Sequence, residues 1–134
     1  MFVAVRYMPG ARPRRVTACH PTGFDMGNFI QVMTTTATPE DAERIAQALV
    51  GRRLAACVQI VGPIRSIYHW QGNVEAGQEW LCLVKSRQDL YPQIEAAIRG
   101  LHPYEVPEIL ALPVTAGSAS YLAWLEQETQ PPGD

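Results

Sequence analysis

At 134 residues, 47% of them hydrophobic, the chain has the length of one domain and can bury a core without disulfide or metal staples. A net charge of −2 argues against a strongly basic nucleic-acid binder, and no apolar run approaches the ~18 residues a membrane span needs. Three cysteines, Cys19, Cys57 and Cys82, lie far apart with no C-x-x-C pair, so neither a zinc knuckle nor a redox dithiol is indicated, and free thiols fit a reducing cytoplasm.

The charge is uneven. Residues 1–27 carry Arg6, Arg12, Arg14 and Arg15 against Asp25, together with Pro9, Pro13 and Pro21, and show no helical or strand periodicity. The apolar start, Met1 to Val5, is too short for a signal-peptide core, and the segment lacks the serines of a transit peptide. It reads as an unstructured extension, or as an early start ahead of Met26, with the domain proper spanning 28–130 and a disordered tail at 131–134.

Phe29 to Thr35 alternates as a first strand. Thr38-Pro39-Glu40-Asp41 announces a helix: Thr38 can cap, Pro39 fits the first helical position, and two acids face the positive end of the dipole. Ala42, Ile45, Ala46, Leu49 and Val50 fall on one stripe, and Gly51 is a natural stop. A second strand covers Ala56 to Val61 and is interrupted by Gly62-Pro63; Ile64 to Trp70 is again extended. Gln71-Gly72-Asn73 makes a hairpin turn, and Gln78 to Lys85 returns. In that strand Trp80, Cys82 and Val84 point one way and Leu81 and Leu83 the other. A strand apolar on both faces must be covered on both. A core of this size has too few helices for that, so a second subunit is expected on the other face.

Arg87 to Gly100 reads as a second helix with Ser86 as its cap. His102-Pro103-Tyr104-Glu105-Val106-Pro107 cannot be helix, because each proline restricts the residue before it. Glu108 to Val114 gives a last strand, Ser118 to Glu128 a last helix, and Gln130 to Gly133 a frayed end. The order predicts an α+β, ferredoxin-like βαββαβ sandwich with an additional C-terminal helix.

Segments along residues 29–128 resemble the CutA family of divalent-cation tolerance proteins. They are Val32-Met33-Thr34-Thr35, Leu54-Ala55-Ala56-Cys57-Val58, Ser66-Ile67-Tyr68-His69-Trp70-Gln71-Gly72, Lys85-Ser86-Arg87, His102-Pro103-Tyr104-Glu105-Val106-Pro107-Glu108, Leu112-Pro113-Val114 and Tyr121-Leu122-Ala123-Trp124. The resemblance implies a ferredoxin-like subunit in a homotrimer similar in form to PII signalling proteins, and a link to copper and other divalent ions. The extension at 1–27 has no counterpart in the family core, and His69 inherits no role.

Two sets of candidate residues follow. For a metal, Cys57 offers a soft thiolate, with His102 and Glu105 or a neighbouring subunit's residues completing the site; copper or another divalent ion would bind without being required for folding. Cys57 also reads as a small half-buried strand residue, and His102 as a helix C-cap. For a small anionic ligand or a partner's loop in a cleft between subunits, Lys85, Tyr104, Trp70 and Tyr68 are the candidates, Lys85 being the only lysine in the chain. The same aromatics suit an interface core. No G-x-S-x-G, H-E-x-x-H, P-loop or G-x-G-x-x-G occurs, so an enzyme is not expected.

Overall fold

A computed structural model describes residues 28–131, so the expectations for residues 1–27, Cys19 among them, and for 132–134 lie outside the described residues. The elements run β1 (Phe29–Thr36), α1 (Pro39–Gly51), β2 (Cys57–Trp70), β3 (Asn73–Arg87), a 3-10 turn (Gln88–Leu90), α2 (Tyr91–Leu101), β4 (Leu110–Pro113) and α3 (Ala119–Glu128). The four strands pair antiparallel in the order β2-β3-β1-β4. The βαββαβ order with one further helix is as the sequence predicts.

Local chemistry starts α1 as expected. The Asp41 N–H donates to Thr38 Oγ1 at 3.1 Å, Pro39 opens the helix, and Ala42, Ile45, Ala46 and Leu49 turn inward. Ser118 caps α3 in the same way, accepting from the Tyr121 N–H at 3.3 Å. The start of α2 differs. Ser86 remains in β3 and donates to Leu54 O at 2.5 Å, binding the β1–β3 layer to the loop after α1 instead of capping. The chain then makes a 3-10 turn and α2 begins at Tyr91, with Pro92 in its first turn, where a missing N–H costs nothing.

The hairpin is longer than the sequence pattern shows. Gly62 and Pro63 do not divide two strands; they sit in a bulge between Val61 and Ile64, joined by a cis peptide bond, and β2 continues to Trp70. Gln71 and Gly72, with φ of 49° and 83°, form the two central positions of the turn, a backbone that suits a tight hairpin. Asn73 to Gly77 has little strand propensity of its own; pairing with Ser66 to Trp70 makes it strand. β4 is shorter than expected, Leu110–Pro113. Gln130, expected at the start of a frayed end, is held instead: its N–H donates to Arg53 O at 2.8 Å, next to the buried Thr129.

Opposed residues in an antiparallel pair share a face. One face of the sheet carries Ile30, Val32 and Val84 against Ile45 and Leu49 of α1 and Ile94, Ala97 and Ile98 of α2; this is the main core. Full burial of a side chain such as Ile98 contributes about 2–3 kcal/mol. Among the described residues the other face meets α3 at one end, where Phe29, Leu122 and Leu125 form a small second cluster, and the loop after α2 at the other, where Tyr104 reaches Glu79. Between these two ends that face is open.

Candidate functional site on the open sheet face

Strand register lays the open face out in rows. Nearest α3, Leu112, Gln31, Lys85 and Cys57 stand side by side across all four strands. The Lys85 ammonium donates to Gln31 Oε1. Burial lowers its pKa, and the adjacent Cys57 thiol pulls the other way. Tyr121 of α3 lies close enough to Cys57 that burial, and secondarily the thiolate's charge, raise the phenol's pKa; its ring tilts against Trp124 at 5.5 Å. The following rows are mainly apolar: Leu110, Met33 and Leu83 with Gln59 at the β2 edge, then Thr35, Leu81 and Val61.

The far end is acidic and phenolic. Glu79, on the same face, is 3% exposed, and the Tyr104 hydroxyl donates to its Oε2 at 3.0 Å. Burial, then the Glu79 charge and hydrogen bond, push the Tyr104 phenol far above its usual range. Glu108 is half-buried in the same corner. Burial raises its carboxyl pKa, Glu79 adds to the rise, and the Thr35 hydroxyl beside it opposes. Tyr68 feels the same pair of forces, burial first and then Glu75 and Glu79, and its hydroxyl is occluded without a hydrogen-bond partner among the described residues.

His102 ends α2 with its ring turned inward, 8% exposed. Its Nδ1 accepts the Tyr104 N–H at 3.1 Å, which assigns the proton to Nε2, and Nε2 donates to Thr35 O at 2.7 Å. Burial, opposed by the Thr35 hydrogen bond, lowers its pKa, so the neutral ring is favoured. The imidazole stacks obliquely on Tyr104 at 4.6 Å and holds the corner of the loop against β1.

These placements redraw both candidate sets. Cys57, His102 and Glu105 do not converge. Cys57 stands in the Gln31 row, whereas His102 reaches Thr35, four residues further along β1 or roughly 13 Å. Both nitrogens of His102 are already hydrogen-bonded, and Glu105 is exposed. Among the described residues no group of three His, Cys, Asp or Glu side chains is arranged to hold a metal ion. The cleft set divides as well. Tyr68 and Tyr104 meet around Glu79, Trp70 lies beyond them at the hairpin end opposite Asn73, and Lys85 is six residues from Glu79 on β3, roughly 20 Å away.

Sequence reasoning missed Glu79, Glu108, Gln31 and Thr35 as members of these clusters. Glu79 left one trace, a carboxylate at an in-register position of an otherwise apolar strand. Gln31 and Thr35 left none, because only cross-strand register makes them neighbours of Lys85 and Glu108. Of the two described thiols, Cys82 is fully buried, with its Sγ 3.9 Å from Ala42 O, and burial pushes its pKa up to about 11. Cys57 is half-exposed.

Comparison with known proteins places the chain as a whole. The family described as CutA1 divalent ion tolerance protein matches residues 30–128. The divalent-cation tolerance protein CutA of Thermus thermophilus is 49% identical over 98 residues, 73% of this chain and 95% of that one. Protein CutA of Mus musculus is 37% identical over 121 residues, 90% of this chain and 68% of the relative. A solved structure of the divalent cation tolerance protein from Thermus thermophilus superposes with a TM-score of 0.74 at 47% identity, covering 76% of this chain and 99% of that chain.

Proposed function

This chain belongs to the CutA1 divalent ion tolerance family, and from that premise we propose that it acts as a homotrimer that binds copper or another divalent metal ion at Cys57 in the cytoplasm. The family description names ion tolerance and not a reaction, in keeping with a binding role instead of catalysis.

The observation that carries this reading is the position of Cys57: the accessible one of the two described thiols, on a sheet face left uncovered beyond α3. Thiolate sulfur is the softest ligand the chain offers and selects copper and similar ions. One chain supplies one sulfur there and no three-ligand cluster among its described residues, so copies must pool their ligands. The open face supports that pooling. Leu110 and Leu112 are 54% and 47% exposed and Val61 46%, in a continuous apolar strip with Met33, Leu81 and Leu83. Covering such a strip with further copies removes it from water.

Native mass spectrometry with Cu(I), Cu(II) and Zn(II), under reducing and then non-reducing conditions, tests the reading. The expected result is a trimer that takes up a fixed number of metal ions and loses them in Cys57→Ala. A Cys57→Ala protein that binds as the parent does would remove the ligand assignment, and a monomer would remove the pooled site.

A further inference from the structure

The loop that follows α2 is fastened through a ring whose charge depends on the pH of the solvent. We propose that residues 102–108 form a proton-operated latch: His102 holds the loop closed over the acidic end of the sheet while its ring is neutral, and releases it when the ring takes up a second proton. Every contact the latch uses lies within one subunit, and it involves neither Cys57 nor the surfaces between copies.

The two bonds of the ring carry the argument. Nδ1 accepts the Tyr104 N–H at 3.1 Å, and Nε2 donates to Thr35 O at 2.7 Å. Both partners are backbone groups, and neither can exchange its role as a hydroxyl could. A neutral imidazole with its proton on Nε2 satisfies the two together. An imidazolium donates from both nitrogens, which sets an Nδ1–H against the Tyr104 N–H. At 8% exposure the ring has little room to turn towards water while the loop stays in place. The second proton therefore enters as the Tyr104 backbone withdraws.

Withdrawal passes along the loop. Pro103 stiffens the link between His102 and Tyr104, so the movement is not absorbed there. The Tyr104 ring leans on the imidazole at 4.6 Å, and its hydroxyl donates to the buried Glu79 at 3.0 Å, so moving Tyr104 takes the phenol off that carboxylate. The charges around His102 come from three elements. Arg44 of α1 donates to Leu101 O at 2.8 Å and is paired with Asp41 of the same helix at 3.2 Å. Glu79 faces the ring from β3 beyond Tyr104, and Glu108 of the loop sits in the same corner. Asp41 and Glu79 favour a charged ring and Arg44 opposes it. An imidazolium freed from Tyr104 meets, in Glu79, a carboxylate that has just lost its phenol, and the C-terminus of α2 favours a cation as well.

The sign follows from the closed geometry. A released imidazole titrates near about 6.5, and the closed loop binds the proton less readily. Closure is therefore fully favoured above that pH and weakens as pH falls below it, by at most about tenfold per pH unit, because one proton is taken up.

Backbone amide exchange on the full-length protein in its native oligomeric state, corrected for the intrinsic pH dependence of exchange, reads the latch directly. Between pH 7 and 5 the protection of residues 102–108 is expected to fall at least fivefold and to stay at least tenfold below that of residues 91–98, the mark of a local opening. His102→Gln, whose amide accepts and donates without titrating, is expected to change less than twofold over the same range, with circular dichroism confirming that the variant is folded. In the parent, 15N shifts of the imidazole are expected to show the Nε2–H tautomer at pH 7.5, and conversion to imidazolium to track the loss of protection at Tyr104. Loop protection that ignores pH, loop protection equal to that of residues 91–98, an Nδ1–H tautomer, or a folded His102→Gln protein that opens as the parent does would each overturn the latch. If His102→Gln does not fold, the parent decides alone: ring and loop titrating apart overturn it, and titrating together uphold it.

Discussion

The two faces of this sheet are made by alternate residues of the same strands, yet they are different materials. On the helix face Val32, Val84 and Cys82 are wholly buried beneath α1 and α2. On the open face their immediate neighbours Met33, Leu83 and Leu81 are half-exposed, and polar groups gather at both ends. The first face holds the subunit together. The second is left to whatever binds it, and every residue with a proposed role in recognition points that way.

Truncation separates the faces most sharply. Ile98→Ala is expected to cost about 3–4 kcal/mol in urea unfolding, because α2 cannot collapse into the space. Leu83→Ala should cost the isolated subunit about 1 kcal/mol or less, its effect showing instead in the oligomer's dissociation measured by analytical ultracentrifugation. Equal losses of subunit stability would mean that the two faces are equivalent parts of one core.

Gly62 probes the bulge that carries β2 past the helices. A Cβ there would lie 2.1 Å from Cδ1 of the Trp80 indole, so Gly62→Ala is expected to cost about 2 kcal/mol by overpacking, read in the same unfolding experiment. Tyr104→Phe tests the acidic corner. Losing the 3.0 Å bond to the buried Glu79 should cost about 1.5 kcal/mol, and Glu79→Gln in the Tyr104→Phe background should recover part of it.

The same corner predicts a pH dependence. His102 has its pKa lowered in the fold, so the unfolded chain, near 6.5, binds the proton more readily. Its contribution is present above that value and is lost as pH falls through it towards the folded pKa. Glu108 works with the opposite sign: its raised pKa favours the fold at acid pH, and that advantage is lost as pH rises through the window above about 4.5. Between pH 7 and 5, His102→Gln should flatten the decline in the urea midpoint. A slope unchanged by the substitution would place the titration elsewhere. The smallest effect belongs to the exposed Arg53–Glu128 pair at 3.5 Å, where Glu128→Gln should change stability by about 0.3 kcal/mol, less at high salt.

Element order, the cap of α1 and the hairpin turn are all legible in the chain, because each is decided within a few residues. Thr38 meets Asp41, and Gly72 takes its positive φ in a two-residue turn. The two-faced character of β3 is legible too, from Leu81 and Leu83 alternating with Cys82 and Val84. Ser86 reads as a cap and is not one, since its partner Leu54 lies 32 residues away. The extent of the hairpin escapes the sequence pattern because pairing, not propensity, makes residues 73–77 a strand.

Residue identity by itself picks out Cys57, Lys85, Tyr68, Tyr104 and His102 as chemically unusual, and it is register that sorts them into separate places. Side-chain type and short-range pattern are properties of the chain; distance across a sheet is not. Gln31 reaches Lys85 over 54 residues, and Glu79 reaches Tyr104 over 25. Cys57 and His102 end at different levels because antiparallel pairing sets one against Lys85 and brings the other to Thr35. Only the folded sheet measures those separations, and they decide that the ammonium and the carboxylates of the open face stand at opposite ends.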